Sequence, residues 1–320
     1  MKETSPLPEA PVLILAYNRP DQLRGLIDSM RPYAPKSVLI GVDGPKDTAI
    51  DNEKVRKVIK EVEGINWTDD VQILERKSNL GLRLAVPDAV TWAISKAGRV
   101  IVVEDDVRVS KDFFPYMNHC LDEFANEDKI GHISGYNPVP KKFITHPKFR
   151  SRTSLFPESY AWATWGRAWS KYEDELSWVK ELNLGELREL TGSLQAAVVW
   201  KLNFSDAKSG AISTWAYRWI ASLWKNKLLS ISPNRNLVDY KGQTEGTHTK
   251  GSRSWAELDT DEIMDLESGD TLFLKLTDQL ADNWIARNIF RSTNLGVARR
   301  TAESLVLNAM RSKDNNFSRR

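Results

Sequence analysis

Arg99-Val100-Ile101-Val102-Val103-Glu104-Asp105-Asp106 is the stretch that decides the fold, because a short apolar run here ends directly in three carboxylates. Consecutive branched aliphatic residues between polar ends are typical of a buried strand. Similar runs precede it in the chain, each followed by a helical pattern, and this alternation predicts an α/β fold with a doubly wound, mostly parallel sheet. The earlier strands are expected at residues 11–17, 37–42 and 71–74, and the helices at 21–30, 51–62 and 85–97.

Polar residues stand at the predicted ends of these strands, which is where ligands bind in open α/β sheets. They are Asn18 with Arg19, Asp43 with Gly44, and the acidic triplet that ends at Asp106. Crowded carboxylates repel one another unless a cation compensates, and hard divalent ions such as Mg²⁺ or Mn²⁺ do so with oxygen ligands. A solvated acidic turn is the alternative for such a triplet. Its position at the end of a buried strand favours the metal site.

Composition excludes several classes of protein. The 45 Lys and Arg residues nearly cancel the 43 Asp and Glu residues, so no overall field favours nucleic acid. One cysteine, Cys120, excludes an internal disulfide framework, and four histidines without a second cysteine argue against a structural zinc site. No apolar run is long enough for a signal peptide or for a membrane span of about 18 residues. A soluble, cytoplasmic protein is therefore expected.

The first strand lacks a Gly-rich phosphate loop, which disfavours dinucleotide-dependent dehydrogenases and P-loop ATPases. An ordered set of motifs instead resembles the GT-A glycosyltransferases, especially the animal N-acetylglucosaminyltransferases and their bacterial relatives. No single motif is specific, but the ordered set is, and the likeness covers roughly residues 11–249. The motifs are Ala16-Tyr17-Asn18-Arg19-Pro20, Val42-Asp43-Gly44, Asn79-Leu80-Gly81, Val102-Val103-Glu104-Asp105-Asp106 and Phe113-Phe114.

The resemblance implies a GT-A fold that binds a nucleotide sugar against its first strands and holds manganese on the diphosphate. By the same resemblance, Asp43 would contact the base, and Asn18 and Arg19 the nucleotide. Asp106 would bind the metal directly, and Asp105 would lie towards the ribose or the metal shell. A turn role before Gly44-Pro45 remains the alternative for Asp43. The matching motifs add Ala16, Tyr17, Asn79, Gly81 and Glu104 as donor-binding candidates.

Two later motifs extend the resemblance. His248, in Glu245-Gly246-Thr247-His248-Thr249, resembles the late histidine that completes the metal site, with a surface or capping role as the alternative. The aromatic segment at residues 159–169 resembles the one beneath the donor and acceptor sugars, whose C–H faces suit aromatic rings. Trp162 and Trp165 are predicted to act there as a pair, and core packing is the alternative for either one alone.

One departure from the family pattern affects the mechanism. Bacterial relatives often have Asp-Thr-Trp-Asp-Tyr near the acceptor, whereas this chain reads Ser213-Thr214-Trp215-Ala216-Tyr217. An inverting transferase needs a carboxylate that takes the acceptor proton, and Glu158 and Glu245 are the nearest candidates by motif context. If the reaction instead retains the configuration of the sugar, the missing carboxylate matters less.

The sequence divides into three parts under this interpretation. Residues 1–130 form the nucleotide-sugar-binding half and residues 131–260 the acceptor-binding half of one GT-A domain. Residues 261–320 form a helical, basic extension, with helices expected at 271–291 and 294–310. Its excess of Arg and Lys predicts peripheral association with the inner face of the cytoplasmic membrane, and a solvated helix face is the alternative.

We therefore predict a metal-dependent, inverting glycosyltransferase that uses Mn²⁺ or Mg²⁺ and a UDP-sugar donor. The acceptor would be a saccharide or glycoconjugate, in polysaccharide or glycoconjugate synthesis. One alternative is a sugar nucleotidyltransferase, but the Gly-rich, Arg-containing loop expected after its first strand is missing. Another is an inactive nucleotide-sugar-binding module whose catalytic carboxylate has been lost at Ala216.

Overall fold

The computed structural model describes residues 9–241 and 277–317, with side chains up to residue 311. Its first half alternates four parallel strands with three helices, in the order that the sequence predicts. The strands lie side by side as β3-β2-β1-β4. They are β1 (Val12–Ala16), β2 (Ser37–Val42), β3 (Asp70–Glu75) and β4 (Arg99–Glu104), and the helices are α1 (Pro20–Met30), α2 (Ala49–Val62) and α3 (Leu82–Ala97).

The second half extends the same sheet. Four more strands follow β4 in the spatial order β8-β6-β9-β7, with β8 antiparallel to β4 and to β6, β9 parallel to β6, and β7 antiparallel to β9. A separate antiparallel pair joins β5 (Val107–Val109) to β10 (Val238–Tyr240). The remaining strands are β6 (Ile130–Ser134), β7 (Ser151–Ser154), β8 (Ala161–Trp165) and β9 (Leu229–Pro233).

Helices cover both faces of the sheet, and two further helices follow at the C-terminal end. Among the described residues these are α4 (Phe113–Glu123), α5 (Gly166–Trp169), α6 (Leu184–Thr191), α7 (Leu194–Ser209), α8 (Ala216–Lys225), α9 (Gln279–Asn288) and α10 (Asn294–Phe317). The predicted α/β fold with a mixed, mostly parallel sheet and C-terminal helices is confirmed. No helix of the described chain is both long and apolar enough to span a membrane.

Both faces of β1 are buried, which explains its unbroken apolar sequence. Val12, Ile14 and Ala16 pack into one core with α1 and α2, whereas Leu13 and Leu15 pack into the other core with α3. A parallel strand covered on both faces needs apolar residues at every position rather than at alternate ones. The same reasoning applies to β4.

The ends of β1 to β4 meet at one edge of the sheet. Because β8 runs antiparallel to β4, its first residue, Ala161, pairs with Val103, and the loop before β8 lies at this edge as well. Pro20 occupies the first turn of α1, where its missing N–H costs no hydrogen bond, and so it ends the β1 loop. The polar residues that the sequence places after each strand are therefore brought to a common edge.

Candidate active site

The acidic triplet ends β4 in a tight turn, which the main chain holds from two sides. The Asp105 amide donates to Leu15 O at 3.0 Å, and Asp106 O accepts from the Lys241 amide at 2.8 Å. The Asp106 side chain is buried, and its Oδ2 accepts from Arg19 Nη1 at 2.8 Å. Its other oxygen, Oδ1, is buried and has no hydrogen-bond partner among the described residues.

Burial raises the pKa of all three carboxyl groups of the triplet. For Asp105 the pKa rises to about 7, with Asp106 adding to the effect of burial and Arg19 opposing it. The pKa of half-buried Glu104 lies well above its ordinary value through burial and then repulsion by Asp106. Burial also raises the pKa of Asp106, against the opposing charge of Arg19.

This arrangement fits a divalent cation, because crowded carboxylates and a buried oxygen without a partner are both relieved by a positive charge. Among the side chains of residues 9–241 and 277–311, no three of ligand type converge on one point. Asp106 is the described side chain that would hold such a cation. His248 and Glu245 follow Lys241 by seven and four positions and lie outside the described residues.

Asp51 organises the loop after β1, although it lies outside the motifs that predicted the site. Its Oδ2 accepts from Tyr17 Oη at 2.5 Å and from the Lys46 amide at 2.6 Å, and its Oδ1 accepts from Asn18 Nδ2 at 2.6 Å. Burial alone would raise the pKa of Asp51, but the hydrogen bonds from Tyr17 and Asn18 outweigh burial and lower it. Asp51 thus joins the loop that follows β1 to the loop that follows β2.

A sequence signal for Asp51 exists. Thr48 is the N-cap of α2, and its side chain accepts from the Asp51 amide at 3.2 Å, so the two residues form a capping pattern. That pattern predicts the start of a helix but not the contact with Tyr17, which is 34 residues away in the chain.

The structure brings Asp43, Asn79 and Gly81 together. Asp43 Oδ1 accepts from the Gly44 and Leu80 amides at 2.9 Å, and Oδ2 accepts from Asn79 Nδ2 and the Gly81 amide at 3.0 Å. These four bonds fill the acceptor capacity of a carboxylate. Asp43 therefore holds the loop before α3 against the end of β2, and its contact with a nucleotide base stays a prediction.

Gly44 is required by this close approach. A Cβ at this position would lie 2.4 Å from the carbonyl carbon and oxygen of Ser78, which are backbone atoms and cannot move aside cheaply. The glycine of the Val42-Asp43-Gly44 motif thus lets the two loops touch.

Trp162 and Trp165 do not form the predicted pair. The two side chains point to opposite faces of the sheet, because they are three residues apart on β8 and side chains alternate along a strand. Trp162 has no exposed surface and stacks on Trp215 with ring centroids 5.4 Å apart. Trp165 is buried in the other core, where its Nε1 donates to Leu121 O at 3.1 Å. Each indole packs in the core, as the alternative reading proposed.

His132 is a buried neutral histidine within the tryptophan core. Trp219 Nε1 can only donate, so His132 Nδ1 accepts this bond at 3.1 Å and Nε2 carries the proton. Nε2 then donates to the backbone oxygen of Glu158 at 3.2 Å. Burial lowers the pKa of His132 to about 3, so the ring has a structural role at neutral pH.

Glu158 lies at the same edge as the triplet, three residues before β8, and is buried. Its amide donates to Ser134 Oγ at 3.1 Å. The structure thus connects Glu158 to β6 and to His132, and its role as a base stays a prediction.

Ala216 begins α8 at the position where relatives often carry a carboxylate. A buried arginine, Arg218, organises the surroundings: its Nη1 donates to Thr214 O at 2.7 Å and its Nε pairs with Asp174 Oδ1 at 2.9 Å. Arg83, at the start of α3, pairs with the same carboxylate. Asp174 is therefore held between two guanidinium groups beside the loop that lacks the expected base.

The doubly wound sheet, with an acidic turn at the end of its fourth strand that Leu15, Arg19 and Lys241 hold in place, has the arrangement that the resemblance to the GT-A type implies. The chain belongs to the GNT-I family, whose profile matches residues 1–182.

The chain is also 24% identical over 268 residues to an alpha-1,3-mannosyl-glycoprotein 2-beta-N-acetylglucosaminyltransferase of Arabidopsis thaliana. The match covers 76% of this chain and 57% of that protein, so the chain spans a little over half of that relative's length. The resemblance drawn from the motifs is confirmed.

Proposed function

We propose that this protein transfers an N-acetylglucosaminyl group from a UDP donor to a hydroxyl group of a saccharide or glycoconjugate, with inversion at the anomeric carbon. Family membership and the likeness to a transferase named for a mannosyl-glycoprotein acceptor support this activity. The observation that carries the proposal is the buried Asp106 Oδ1, which has no partner in the described part of the chain. It lies at the strand ends where such sheets bind nucleotide ligands.

The proposal includes Mn²⁺ or Mg²⁺ at the acidic turn, with Asp106 as a direct ligand and His248 as a second one. The cation, when bound, would neutralise the charge of the donor diphosphate. Arg19 donates to Oδ2 of Asp106, and the Lys241 amide donates to the backbone oxygen of Asp106. The chain therefore holds this residue through both its side chain and its main chain.

The donor-binding loops are organised by the chain itself. Asp51 holds Tyr17 and Asn18 after β1, and Asp43 holds the loop from Asn79 to Gly81 before α3. Loops that are ordered before the donor arrives lose less entropy when it binds. These contacts support the assignment of this edge to the nucleotide sugar.

A carboxylate must take the proton of the acceptor hydroxyl as its oxygen forms the new bond to the sugar. We propose Glu245 for this role, with Glu158 as the second candidate. The turnover numbers of the variants Glu245→Gln and Glu158→Gln discriminate between the two candidate bases. Glutamine keeps the shape of the side chain but cannot accept the proton, so the variant that loses turnover identifies the base. An inactive binding module, favoured by Ala216, would bind the donor and form no product with any acceptor.

Asp106→Asn tests the proposed metal site. We expect the affinity for UDP in the presence of Mn²⁺ to fall at least about tenfold in this variant, because an amide is a poorer ligand for a hard cation than a carboxylate. Isothermal titration calorimetry with and without Mn²⁺ measures this change. Asp28→Asn, which alters an exposed carboxylate on α1, is the matched control and should bind as the parent does. Equal Mn²⁺-dependent affinity in the Asp106 variant and the parent would reject the site.

A further inference from the structure

The outer surface of α10 is apolar, which is the reverse of the usual arrangement on a surface helix. Its large hydrophobic side chains are strongly exposed: Leu295 by 82%, Leu305 by 68%, Val306 by 58% and Met310 by 60%. Positions three, four and seven residues apart share one face of a helix. The outer face, defined by exposed residues at this spacing, comprises Leu295, Ala298, Ala302, Leu305, Val306, Ala309 and Met310.

The inner face of α10 is held by polar contacts to α7. Buried Asp206 accepts from Arg300 Nη2 at 2.5 Å, from Ser304 Oγ at 2.8 Å and from Asn308 Nδ2 at 2.9 Å. Arg300 Nε also donates to Asn203 Oδ1 at 2.8 Å. These bonds fix the rotation of the helix, so its apolar face is turned away from α7.

Charge indicates what covers the outer face. From Arg287 to Arg320 the sequence has eight Arg or Lys residues and two Asp or Glu residues, whereas the whole chain is nearly balanced. In the described part of this region, Arg287, Arg291, Arg299 and Arg311 are exposed, and the described side chains of α10 include one exposed carboxylate, Glu303. An apolar face within a cationic region matches the acyl chains and phosphates of an anionic bilayer.

The position of Arg299 favours a bilayer over a second protein surface. It is four residues from Leu295 and seven from Val306, and therefore lies within the outer face, where its Nε pairs with Glu303 Oε1 at 2.8 Å. Packing this face against another helix would remove a guanidinium from water. At a lipid surface, its apolar stem can lie along the acyl region while the charge reaches a phosphate.

We propose that the outer face of α10 docks this protein on the surface of an anionic phospholipid bilayer. The helix lies in the plane of the interface, with its apolar side chains among the first acyl carbons and the surrounding arginines at the phosphates. A saccharide acceptor carried on a lipid would then approach an enzyme already held at the membrane, a consequence that rests on the proposed function. The docking itself does not depend on it.

The test is sedimentation of the full chain with two kinds of vesicle, phosphatidylcholine alone and phosphatidylcholine containing phosphatidylglycerol. We expect pelleting with the anionic vesicles at low salt and much less with neutral vesicles or at high salt. Leu295→Gln combined with Leu305→Gln removes apolar contact without changing charge and should lower the partition coefficient at least about tenfold. Leu184→Gln combined with Leu190→Gln, two exposed leucines on α6 rather than on α10, is the matched control and should bind as the parent does.

Three outcomes would overturn the docking proposal. The first is absence of pelleting with the anionic vesicles, and the second is equal pelleting of the parent and the double variant. The third is self-association of the parent in light scattering, abolished in the double variant, without vesicle binding, which would assign the face to a second copy of the chain. Donor binding by the double variant should equal that of the parent, so a failure of the proposed activity is recognised separately.

Discussion

At the scale of single residues, the candidate site depends on carboxylates that organise loops. Asp43 uses all its acceptor positions within its own turn, and Asp51 joins two loops through Tyr17 and Asn18. Asp106 differs from both, because one of its oxygens has no partner among the described residues. The three carboxylates therefore separate into two that hold loops and one that can take a ligand.

Asp51→Asn should weaken donor binding while the chemical step is preserved. Asparagine has one acceptor oxygen, so it cannot accept from Tyr17, Asn18 and the Lys46 amide together. We expect the KM for the donor to rise about tenfold, with kcat within about threefold of the parent value. Steady-state kinetics well below the melting temperature measures this split, which a loss of global stability alone would not produce.

Asp47→Asn is the control for this measurement, since Asp47 is exposed in the same loop. It should keep the parent KM. A parent-like donor KM for the Asp51 variant would show that the two loops keep their positions without this carboxylate.

At the scale of elements, α10 is attached through a buried ion pair on one side and carries an unusual apolar surface on the other. Arg300 and Arg299 are neighbours in sequence but have different surroundings. Arg300 pairs with Asp206, which is almost fully buried, whereas Arg299 pairs with Glu303 at the surface. Removing one partner of a buried pair leaves an uncompensated charge, and removing one partner of an exposed pair does not.

We therefore expect Arg300→Ala to lower the free energy of unfolding by about 3 kcal/mol and Arg299→Ala to change it by less than about 1 kcal/mol. Urea denaturation followed by tryptophan fluorescence measures both values. Equal effects of the two substitutions would mean that Asp206 is compensated by Ser304 and Asn308 alone.

At the scale of the whole molecule, the two halves of the sheet share one tryptophan core, and His132 lies inside it. The ring stacks on Trp162 of β8 with centroids 5.2 Å apart and accepts from Trp219 of α8. Burial lowers its pKa to about 3 in the folded state, whereas an unfolded histidine titrates near 6.5. Protonation of this residue is therefore coupled to unfolding of the whole domain.

The sign of the pH dependence follows from this difference. Below about pH 6.5 the unfolded chain binds a proton that the folded protein does not, so the free energy of unfolding falls as the pH decreases towards 3. The contribution of His132 to the slope is up to about 1.4 kcal/mol per pH unit. His132→Gln should be less stable at pH 7 and should lose this part of the slope.

Urea denaturation of the parent and of His132→Gln at pH 7, 6 and 5 gives the slope of the free energy of unfolding against pH for each protein. The two slopes should differ by the equivalent of about one bound proton. His146→Gln, at an exposed histidine, is the control and should leave the slope close to that of the parent. If His132→Gln keeps the full parent slope, the acid sensitivity originates elsewhere in the molecule.

The sequence predicted the first half of this protein closely. The predicted strand at residues 37–42 coincides with β2, and the other early strands and helices agree within a few residues. Local hydrophobic patterns were sufficient here, because parallel strands buried on both faces are uniformly apolar and turn residues separate them from the helices. The common edge of Asn18, Asp43 and Asp106 followed from that alternation, whereas the class of protein followed from the resemblance that the ordered motifs carry.

Tertiary structure alone decided which of these residues touch. The separation of Trp162 from Trp165, the bond from Tyr17 to Asp51 and the attachment of α10 to Asp206 all depend on contacts between distant parts of the chain. Hydrophobic patterns report the burial of a side chain but not its partner, and a buried polar group must find that partner wherever the fold supplies one. The sequence by itself determined the strands and the edge where the site lies. The packing of distant segments determined which carboxylates are occupied by loops and which one is left for a ligand.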